Sequence, residues 1–182
     1  MHAKFPSQPW EITEDGFVPE QLRENESVFA LANGFIGMRG NLEEVDALGA
    51  NSIQGSFLNG VFDSEPIVYG EKAYGYAKNH ETICNVMDAK SLVLFADGER
   101  LTLGCSELRG HRRILDLRAG ILRRSFIWRT KSGGVLEAEM LRLVSLSRSE
   151  ESCGDKALAS LRFRALPLEN PKRNCARAYH GR

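Results

Sequence analysis

The sequence predicts an all-β protein, built as an antiparallel sandwich of short strands. Short apolar runs recur along its 182 residues. Strong turn signals separate them, including Asp97-Gly98 and Ser132-Gly133-Gly134. No long stretch has the 3.6-residue apolar period of an amphipathic helix. Many short strands with frequent turn signals are typical of a sandwich or barrel.

The first 26 residues contain three prolines and many carboxylates. This composition predicts a segment that lies over the surface of the domain, anchored by Trp10 and Phe17. The stretch PEQLRENESVFALA, which begins at Pro19, can form one or two turns of helix, because proline suits a first helical position and Glu, Gln, Leu and Arg are good helix formers.

Residues 33–44 read NGFIGMRGNLEE and contain three evenly spaced glycines. Asn33-Gly34 favours positive φ and predicts a tight turn between two strands. We expect Phe35 and Ile36 to enter the core, and the glycines at 37 and 40 to allow close approach of the backbone.

A phosphate cradle is the competing interpretation of these glycines. A dinucleotide site needs a G-x-G-x-x-G turn between a strand and a long helix, whose amides hold the pyrophosphate. Here the spacing is G-x-x-G-x-x-G, and the carboxylates of Glu26, Glu43, Glu44 and Asp46 would repel phosphate. The sequence therefore argues against the cradle.

Two hairpins are predicted further along the chain. In SLVLFADGERLTL, residues 91–96 should pair with residues 99–103 around Asp97-Gly98. In residues 120–147, an alternation of apolar residues and glutamates gives one strand an apolar face and an acidic face, with the turn at residues 132–134.

A last strand is predicted at residues 158–166, with Arg162 and Arg164 on its solvent-exposed face. Residues 170–182 are expected to be an irregular tail.

Charge and cysteine content limit the classes of function. Residues 1–150 hold 17 Lys+Arg against 21 Asp+Glu, and residues 151–182 hold 7 against 3, so an acidic body precedes a basic tail. An acidic body argues against nucleic-acid binding. The four cysteines are too widely spaced to predict a metal site. Without a signal-peptide core or membrane-length apolar run, we expect a cytoplasmic protein with free thiols.

Candidate catalytic groups are few. His111 lies among arginines and is expected to be a solvated loop histidine, because no nucleophile elbow accompanies it. Glycosidic chemistry uses paired carboxylates. The sequence contains two such pairs, Glu43-Glu44 and Glu137/Glu139. Neither is expected to be catalytic, because neighbours in a strand point to opposite faces, and residues two apart on an exposed edge are usually solubility features. The sequence predicts no catalytic residue, no metal ligand and no cofactor site.

Arg39 is the residue of the glycine motif with functional potential. A guanidinium can bridge to carboxylates across an interdomain or subunit surface, and Glu43 and Glu44 are its candidate companions there. The simpler interpretation is a surface ion pair between Arg39 and one of these two glutamates.

Three ordered motifs, ENESVFALANGFIGMRGNLEE, GSFLNGVFDSE and RILDLRAGILRRSFIWRTKSGG, followed by RLVSLS, resemble the N-terminal domain of glycoside hydrolase family 65. The resemblance runs from about residue 10 to about residue 169. It implies a β-sandwich of the galactose-mutarotase-like super-sandwich kind. It also implies that catalysis belongs to a downstream (α/α) barrel that this chain lacks, so we expect a fragment whose sandwich is incomplete at its C-terminus.

The same resemblance implies a function for a longer parent protein. The parent is expected to be a phosphorylase of maltose, trehalose or kojibiose with inorganic phosphate as co-substrate, and to be a homodimer through this domain. A family hydrolase acting on trehalose-like sugars remains an alternative. A stand-alone carbohydrate-binding or assembly module is another, for which Trp10, Tyr69, Tyr74 and Tyr76 are the candidate sugar platforms.

Overall fold

The structure is a computed structural model of the chain. It describes residues 8–44, 51–71, 73–88, 90–104, 106–146, 157–166 and 176–179. Within these ranges the chain forms twelve β-strands, one short α-helix and one 3-10 turn. The all-β class predicted from the sequence is confirmed.

The helical residues come early in the chain, with the 3-10 turn at Pro19–Gln21 leading into helix α1, Leu22–Val28. The proline occupies the first turn, and the helix is as short as its sequence predicts. The strands are β1 (Glu11–Asp15), β2 (Leu31–Ala32), β3 (Ile36–Met38), β4 (Ser56–Pro66), β5 (Asn79–Asn85), β6 (Val93–Ala96), β7 (Glu99–Arg100), β8 (Glu107–Asp116), β9 (Ile121–Arg129), β10 (Val135–Val144), β11 (Ala157–Leu166) and β12 (Ala176–Tyr179).

The described strands form three sheets. The largest has the order β1-β8-β9-β10-β11, a second has the order β2-β3-β4-β5, and a third has the order β12-β6-β7. All strand pairs in these sheets are antiparallel. Most sequential neighbours are joined by hairpins, as expected for antiparallel sheets.

Both predicted hairpins are confirmed. Asp97 and Gly98 have positive φ angles of 52° and 76°, which the two-residue turn between β6 and β7 requires. Beyond the short strands, the amide of Leu101 still donates to the carbonyl of Leu94 at 2.8 Å. The second hairpin joins β9 to β10 through residues 130–134, and Gly133 has a φ of 91°.

The core lies between the five-stranded sheet and the hairpin of β6 and β7. Alternate residues of β9 and β10 point inward because a strand places successive side chains on opposite faces. Buried apolar side chains of both layers meet in one cluster: Leu92, Leu94, Ala96, Leu101, Phe126, Trp128, Leu136, Ala138 and Met140. The exposed glutamates at 137 and 139 lie on the outer face, as predicted.

Parts of the N-terminal and C-terminal predictions are wrong. Residues 11–15 do not simply cover the surface, because they form edge strand β1 and pair with β8. Trp10 is 55% exposed, whereas Phe17 packs against a buried cluster. Residues 176–179 of the expected irregular tail form β12 beside β6, and the rest of that tail lies outside the described residues.

The glycine motif forms the predicted strand-turn-strand, with two corrections. The side-chain oxygen of Asn33 accepts hydrogen bonds from the amides of Phe35 and Ile36 at 3.0 and 2.8 Å, and Gly34 has a φ of 87°. Phe35 and Ile36 are only half-buried, because β3 lies in the small sheet rather than under the large one. A Cβ on Gly37 would meet only Ala32, at 3.9 Å, so this glycine permits no close approach.

Strands β4 and β5 form a long two-stranded ribbon. From Asn59 to the end of β4, and over most of β5, side chains on both faces are exposed. The ladder changes register between Phe57 and Phe62, with the extra residues on β4. The ribbon therefore leaves the core at this irregularity and continues outward in solvent.

No helix in the described part of the chain is both long and apolar enough to cross a membrane.

Candidate functional site

Residues 39–44, which we call the crossing segment, follow β3 and pass into the interior beneath the five-stranded sheet. The amide of Arg39 donates to the carbonyl of Gly55 at 2.8 Å, and the amide of Gly40 donates to the carbonyl of Glu26 at 2.7 Å. At its far end the carbonyl of Glu43 accepts from Leu92 at 2.8 Å. The crossing segment thus links three parts of the fold.

Gly40 has to be a glycine for a steric reason. A Cβ at this position would lie 2.7 Å from the Cβ of Phe29 and 2.8 Å from its carbonyl carbon and oxygen. Real Cβ contacts are not that short, and Phe29 is fully buried. The close approach predicted for Gly40 is confirmed.

Three adjacent strands each present one buried arginine to the crossing segment: Arg113 from β8, Arg124 from β9 and Arg142 from β10. Arg113 of β8 lies opposite Arg124 of β9 in the ladder. Arg142 of β10 lies opposite Leu122, which is two residues before Arg124 on β9 and so on the same face. All three therefore lie on the inner face, where alternation would otherwise place core side chains.

Two of these arginines bind the backbone of the crossing segment. Arg113 Nη1 donates to the carbonyl of Gly40 at 2.7 Å, and Arg142 Nη2 donates to the carbonyl of Asn41 at 2.8 Å. A guanidinium carries five donors in a fixed fork, so it can satisfy carbonyls and a carboxylate together. These bonds provide partners for carbonyls that a buried irregular segment would otherwise leave unpaired.

The arginines also bind the buried carboxylates. Arg124 Nη1 lies 3.0 Å from Glu43 Oε2 and 2.6 Å from Glu44 Oε2, and Arg142 Nη2 binds Glu43 Oε1. Arg113 Nε pairs with Glu14 of β1. We call this group of three arginines and three glutamates the ionic cluster.

Burial and charge shift the pKa values of the two adjacent glutamates in opposite directions. Burial alone would raise the pKa of Glu43, but Arg142 and Arg124 outweigh it and lower the pKa to about 2. Burial raises the pKa of Glu44 and outweighs the single arginine that opposes it, and the neighbouring Glu43 charge adds to the rise. Glu43 is therefore the firmly ionised partner of the arginines.

Arg39 makes different contacts from the predicted ones. Its Nη2 lies 3.6 Å from Glu26 and donates to the carbonyl of Arg23 at 3.0 Å, while its Nε donates to the carbonyl of Ile53 at 2.9 Å. The predicted surface ion pair with Glu43 or Glu44 is wrong, because both glutamates point inward to other arginines. The Arg39 side chain is 23% exposed, so an interdomain or interface contact stays a prediction for this residue.

The prediction of a solvated loop position for His111 is also wrong. This histidine is buried within a bulge of β8 rather than solvated in a loop. Its Nδ1 lies 3.1 Å from the carbonyl of Gly16, and its Nε2 lies 3.1 Å from Nε of Arg124. A carbonyl needs a donor and an arginine needs an acceptor, so the ring is neutral with its proton on Nδ1. Burial, with a further contribution from Arg124, lowers the pKa of His111 to about 3.

The two adjacent glutamates of the crossing segment are enclosed by the fold. Glu43 and Glu44 are 3% and 6% exposed, and both are bound to arginine. Glu137 and Glu139, which we interpret as solubility features, are exposed opposite Arg164 and Arg162.

The candidate sugar platforms are exposed. Tyr74 is fully exposed at the tip of the β4–β5 ribbon, and Tyr69 and Tyr76 pack against each other there with ring centroids 4.7 Å apart. The ring of Trp10 lies 5.1 Å from the guanidinium carbon of Arg118. Within the described ranges, no group of three or more His, Cys, Asp or Glu side chains could hold a metal ion.

The comparison with known families decides the identity of this fold. The model of the N-terminal domain of glycosyl hydrolase family 65 matches residues 12–163. That range includes the crossing segment and the three strands that carry the arginines. The chain belongs to glycosyl hydrolase family 65.

Several family 65 relatives resemble the chain over most of its length. It is 36% identical to an α,α-trehalose phosphorylase of Thermoanaerobacter brockii over 165 residues, which are 90% of this chain and 20% of that protein. It is 33% identical to a maltose phosphorylase of Bacillus subtilis (strain 168), covering 69% of this chain and 16% of that protein. A solved structure described as "Putative kojibiose phosphorylase from human microbiome" matches with a TM-score of 0.69 and 26% identity, over 80% of this chain and 19% of the other. The chain thus spans about a fifth of the length of these relatives or less.

Sequence reasoning about this family 65 domain missed the arginines of the ionic cluster. The sequence does indicate them, through the alternation of inward-facing and outward-facing residues along β9 and β10. Arg124 shares its face with Leu122 and Phe126, and Arg142 shares its face with Met140. An arginine at an inward position of a strand predicts a buried acidic partner, because an unpaired buried charge is costly.

Proposed function

We propose that this chain is the non-catalytic N-terminal sandwich of a disaccharide phosphorylase. In the parent protein, glucose of an α-glucoside such as maltose, trehalose or kojibiose is transferred to inorganic phosphate by groups outside this domain. The observation that carries the proposal is the state of the buried glutamates. At Glu43 and Glu44, the carboxylates of the glycine motif are engaged by Arg124 and Arg142 inside the fold.

Relatives whose names state a reaction support a phosphorylase, whereas three others, 38–39% identical, are described only as uncharacterized glycosyl hydrolases. The α,α-trehalose phosphorylase and the maltose phosphorylase both match at 33% identity or more. A hydrolase of the same family, acting on trehalose-like sugars, would use the same N-terminal sandwich and is the alternative. In either case the role of this domain is to fold around the crossing segment and to support the remainder of the parent.

An activity assay tests the proposal. The purified chain is incubated with maltose, trehalose or kojibiose, with and without phosphate, and free glucose and glucose 1-phosphate are measured. We expect neither product. Phosphate-dependent release of glucose 1-phosphate that is lost in Glu44→Gln, with Glu137→Gln as the exposed control, would contradict the non-catalytic role.

A stand-alone carbohydrate-binding module is the second candidate, and the ribbon tip favours it. Exposed tyrosine rings present an apolar surface beside a hydroxyl group, which matches the two sides of a sugar ring. Affinity electrophoresis in soluble α-glucan separates the two candidates. Retardation that disappears in Tyr69→Ala and Tyr76→Ala, but persists in Trp10→Ala, would favour the binding module.

A further inference from the structure

The chain contains two Asn-Gly pairs, Asn33-Gly34 and Asn59-Gly60. In such a pair the backbone nitrogen of the glycine can attack the side-chain amide carbon of the asparagine, because glycine has no Cβ to hinder the approach and moves freely in φ and ψ. The reacting atoms are the same at both positions. Any difference in reactivity between the two pairs therefore comes from the fold.

The two glycines have nearly the same backbone setting. Gly34 and Gly60 have φ angles of 87° and 89°. A Cβ on either glycine would meet nothing within 4 Å. Neither the conformation of the glycine nor the space around it distinguishes the two pairs, so the surroundings of the asparagine side chain decide.

The side chain of Asn33 is held at both ends of its amide. Its oxygen accepts from the amides of Phe35 and Ile36. Its nitrogen donates to the carbonyl of Ser145 at 2.7 Å, which lies 112 residues farther along the chain. The amide carbon of Asn33 can meet the nitrogen of Gly34 only when these bonds open, and contacts between distant parts of a fold open rarely.

Asn59 lies in a different environment on β4. It is exposed, and among the described residues its side chain has no hydrogen-bond partner. The ladder with β5 is irregular here, and no residue between Phe57 and Phe62 is paired with that strand. The pairing with β3 covers only residues 56–58. The side chain of Asn59 and the backbone of Gly60 are thus free of the ladders on both sides.

We propose that Asn59 is a site of spontaneous deamidation in the folded protein, whereas the fold protects Asn33. The nitrogen of Gly60 forms a bond to Cγ of Asn59, and the side-chain nitrogen takes up the amide proton and leaves as ammonia. Water then opens the succinimide ring at either carbonyl. One product is aspartate, and the other is isoaspartate, in which the chain runs through the former side chain. This chemistry goes beyond the proposed function and is independent of it.

Conversion changes the base of the β4–β5 ribbon. Asn59 lines an apolar depression there together with Phe35, Phe57 and Ile83. Either product adds a negative charge to this depression, and isoaspartate also inserts a methylene group into the main chain of β4. Older molecules would therefore differ from new ones in charge at the point where the ribbon leaves the core.

The test measures conversion at both pairs in the full 182-residue chain. The chain is incubated at mildly alkaline pH, folded or in guanidinium chloride, and digested for mass spectrometry, which detects an amide replaced by a carboxyl group. Isoaspartate is identified by a methyltransferase that labels its carboxyl group. In denaturant the two pairs should react at similar rates. In the folded chain we expect Asn33 to react at least about tenfold more slowly than Asn59.

Two results would overturn the proposal. One is equal rates at the two pairs in the folded chain, and the other is a folded chain in which Asn59 is slowed relative to denaturant as much as Asn33. The matched control is Asn59→Gln, whose amide is one methylene farther from the glycine nitrogen. Its peptide should lose the conversion while Asn33 behaves as in the wild type. The decisive comparison is made within the wild-type chain, so it does not depend on the folding of a variant.

Discussion

Arg113 of β8 and Arg124 of β9 lie directly opposite each other on the inner face of the five-stranded sheet, and both are buried. Like charges in this position normally destabilise a sheet. Each arginine here has its own acidic partner: Glu14 binds Arg113, whereas Glu43 and Glu44 bind Arg124. The glutamates of the crossing segment are therefore required by the sheet above them.

The first prediction concerns Glu43. Glu43→Gln should lower the free energy of unfolding by about 3 kcal/mol or more, because it leaves the buried Arg142 without its carboxylate partner and Arg124 with Glu44 alone. Urea unfolding followed by tryptophan fluorescence measures the change. The matched control is Glu137→Gln on the exposed face, which should stay within about 0.5 kcal/mol of the wild type. Equal effects of the two substitutions would contradict the structural role of the ionic cluster.

The second prediction concerns acid stability and His111. The pKa of this histidine is lowered to about 3 in the fold, against an ordinary value of 6.5. Between these values the unfolded chain binds a proton that the native chain does not, so stability falls as the pH decreases through this range, by up to about 1.4 kcal/mol per pH unit. Unfolding free energies measured at pH 7.5 and pH 5 should differ less in His111→Gln than in the wild type.

Other groups also titrate in the acid range, and the comparison accounts for them. The lowered pKa of Glu43 adds stability above pH 4.5 that is lost toward pH 2, and the raised pKa of Glu44 acts in the opposite sense. Both glutamates are present in the wild type and in His111→Gln. Their contributions therefore enter both sides of the comparison.

The third prediction separates two glycines of the same motif. Gly40→Ala should destabilise the fold by about 1–3 kcal/mol, because the new methyl group would meet the buried Phe29 at 2.7 Å. Gly37→Ala should cost much less, since its Cβ would meet only Ala32 at an ordinary distance. Thermal unfolding of the two variants gives the comparison, and a larger loss for Gly37→Ala would show that the steric argument is wrong.

The fourth prediction concerns the turn between β6 and β7. Gly98 has a φ of 76°, a conformation that is strained for a β-branched side chain. Gly98→Val should therefore reduce the free energy of unfolding by roughly 1 kcal/mol or more. Gly70→Val is a suitable control, because a Cβ on that glycine would have no neighbour within 4 Å and its φ lies outside the left-handed region. If Gly98→Val unfolds with the same urea midpoint as the wild type, the prediction is refuted.

Local chemistry explains what could be predicted from the sequence. Asp97-Gly98 and the alternation in β10 each depend on neighbouring residues, so the sequence alone is enough to place both hairpins. The acidic strand β1 could not be predicted, because its place at the edge depends on pairing with β8 about a hundred residues later. The sequence places Phe35 in the core wrongly, because apolar character does not reveal which sheet a strand joins.

The ionic cluster escapes sequence reasoning for a related reason. Glu43 and Arg124 are 81 residues apart in the chain, and neither the spacing nor the composition of either segment indicates the other. The neighbours of Glu43-Glu44 suggest only a solvated surface with two adjacent carboxylates. The physical cost of an unpaired inward arginine on β9 is the signal that points to a buried partner.

The crossing segment also has a consequence for the order of folding. Its bonds to Arg113, Arg124 and Arg142 close loops of roughly 70 to 100 residues, whereas the hairpin of β9 and β10 closes a turn of a few residues. Loop closure makes the distant contacts slower to form, so the arginine strands should assemble first and receive the glycine segment afterwards. Substitutions at Glu43 would then accelerate unfolding while leaving the folding rate nearly unchanged. The lifetime of the native state, more than the speed of reaching it, would be set by six charged side chains.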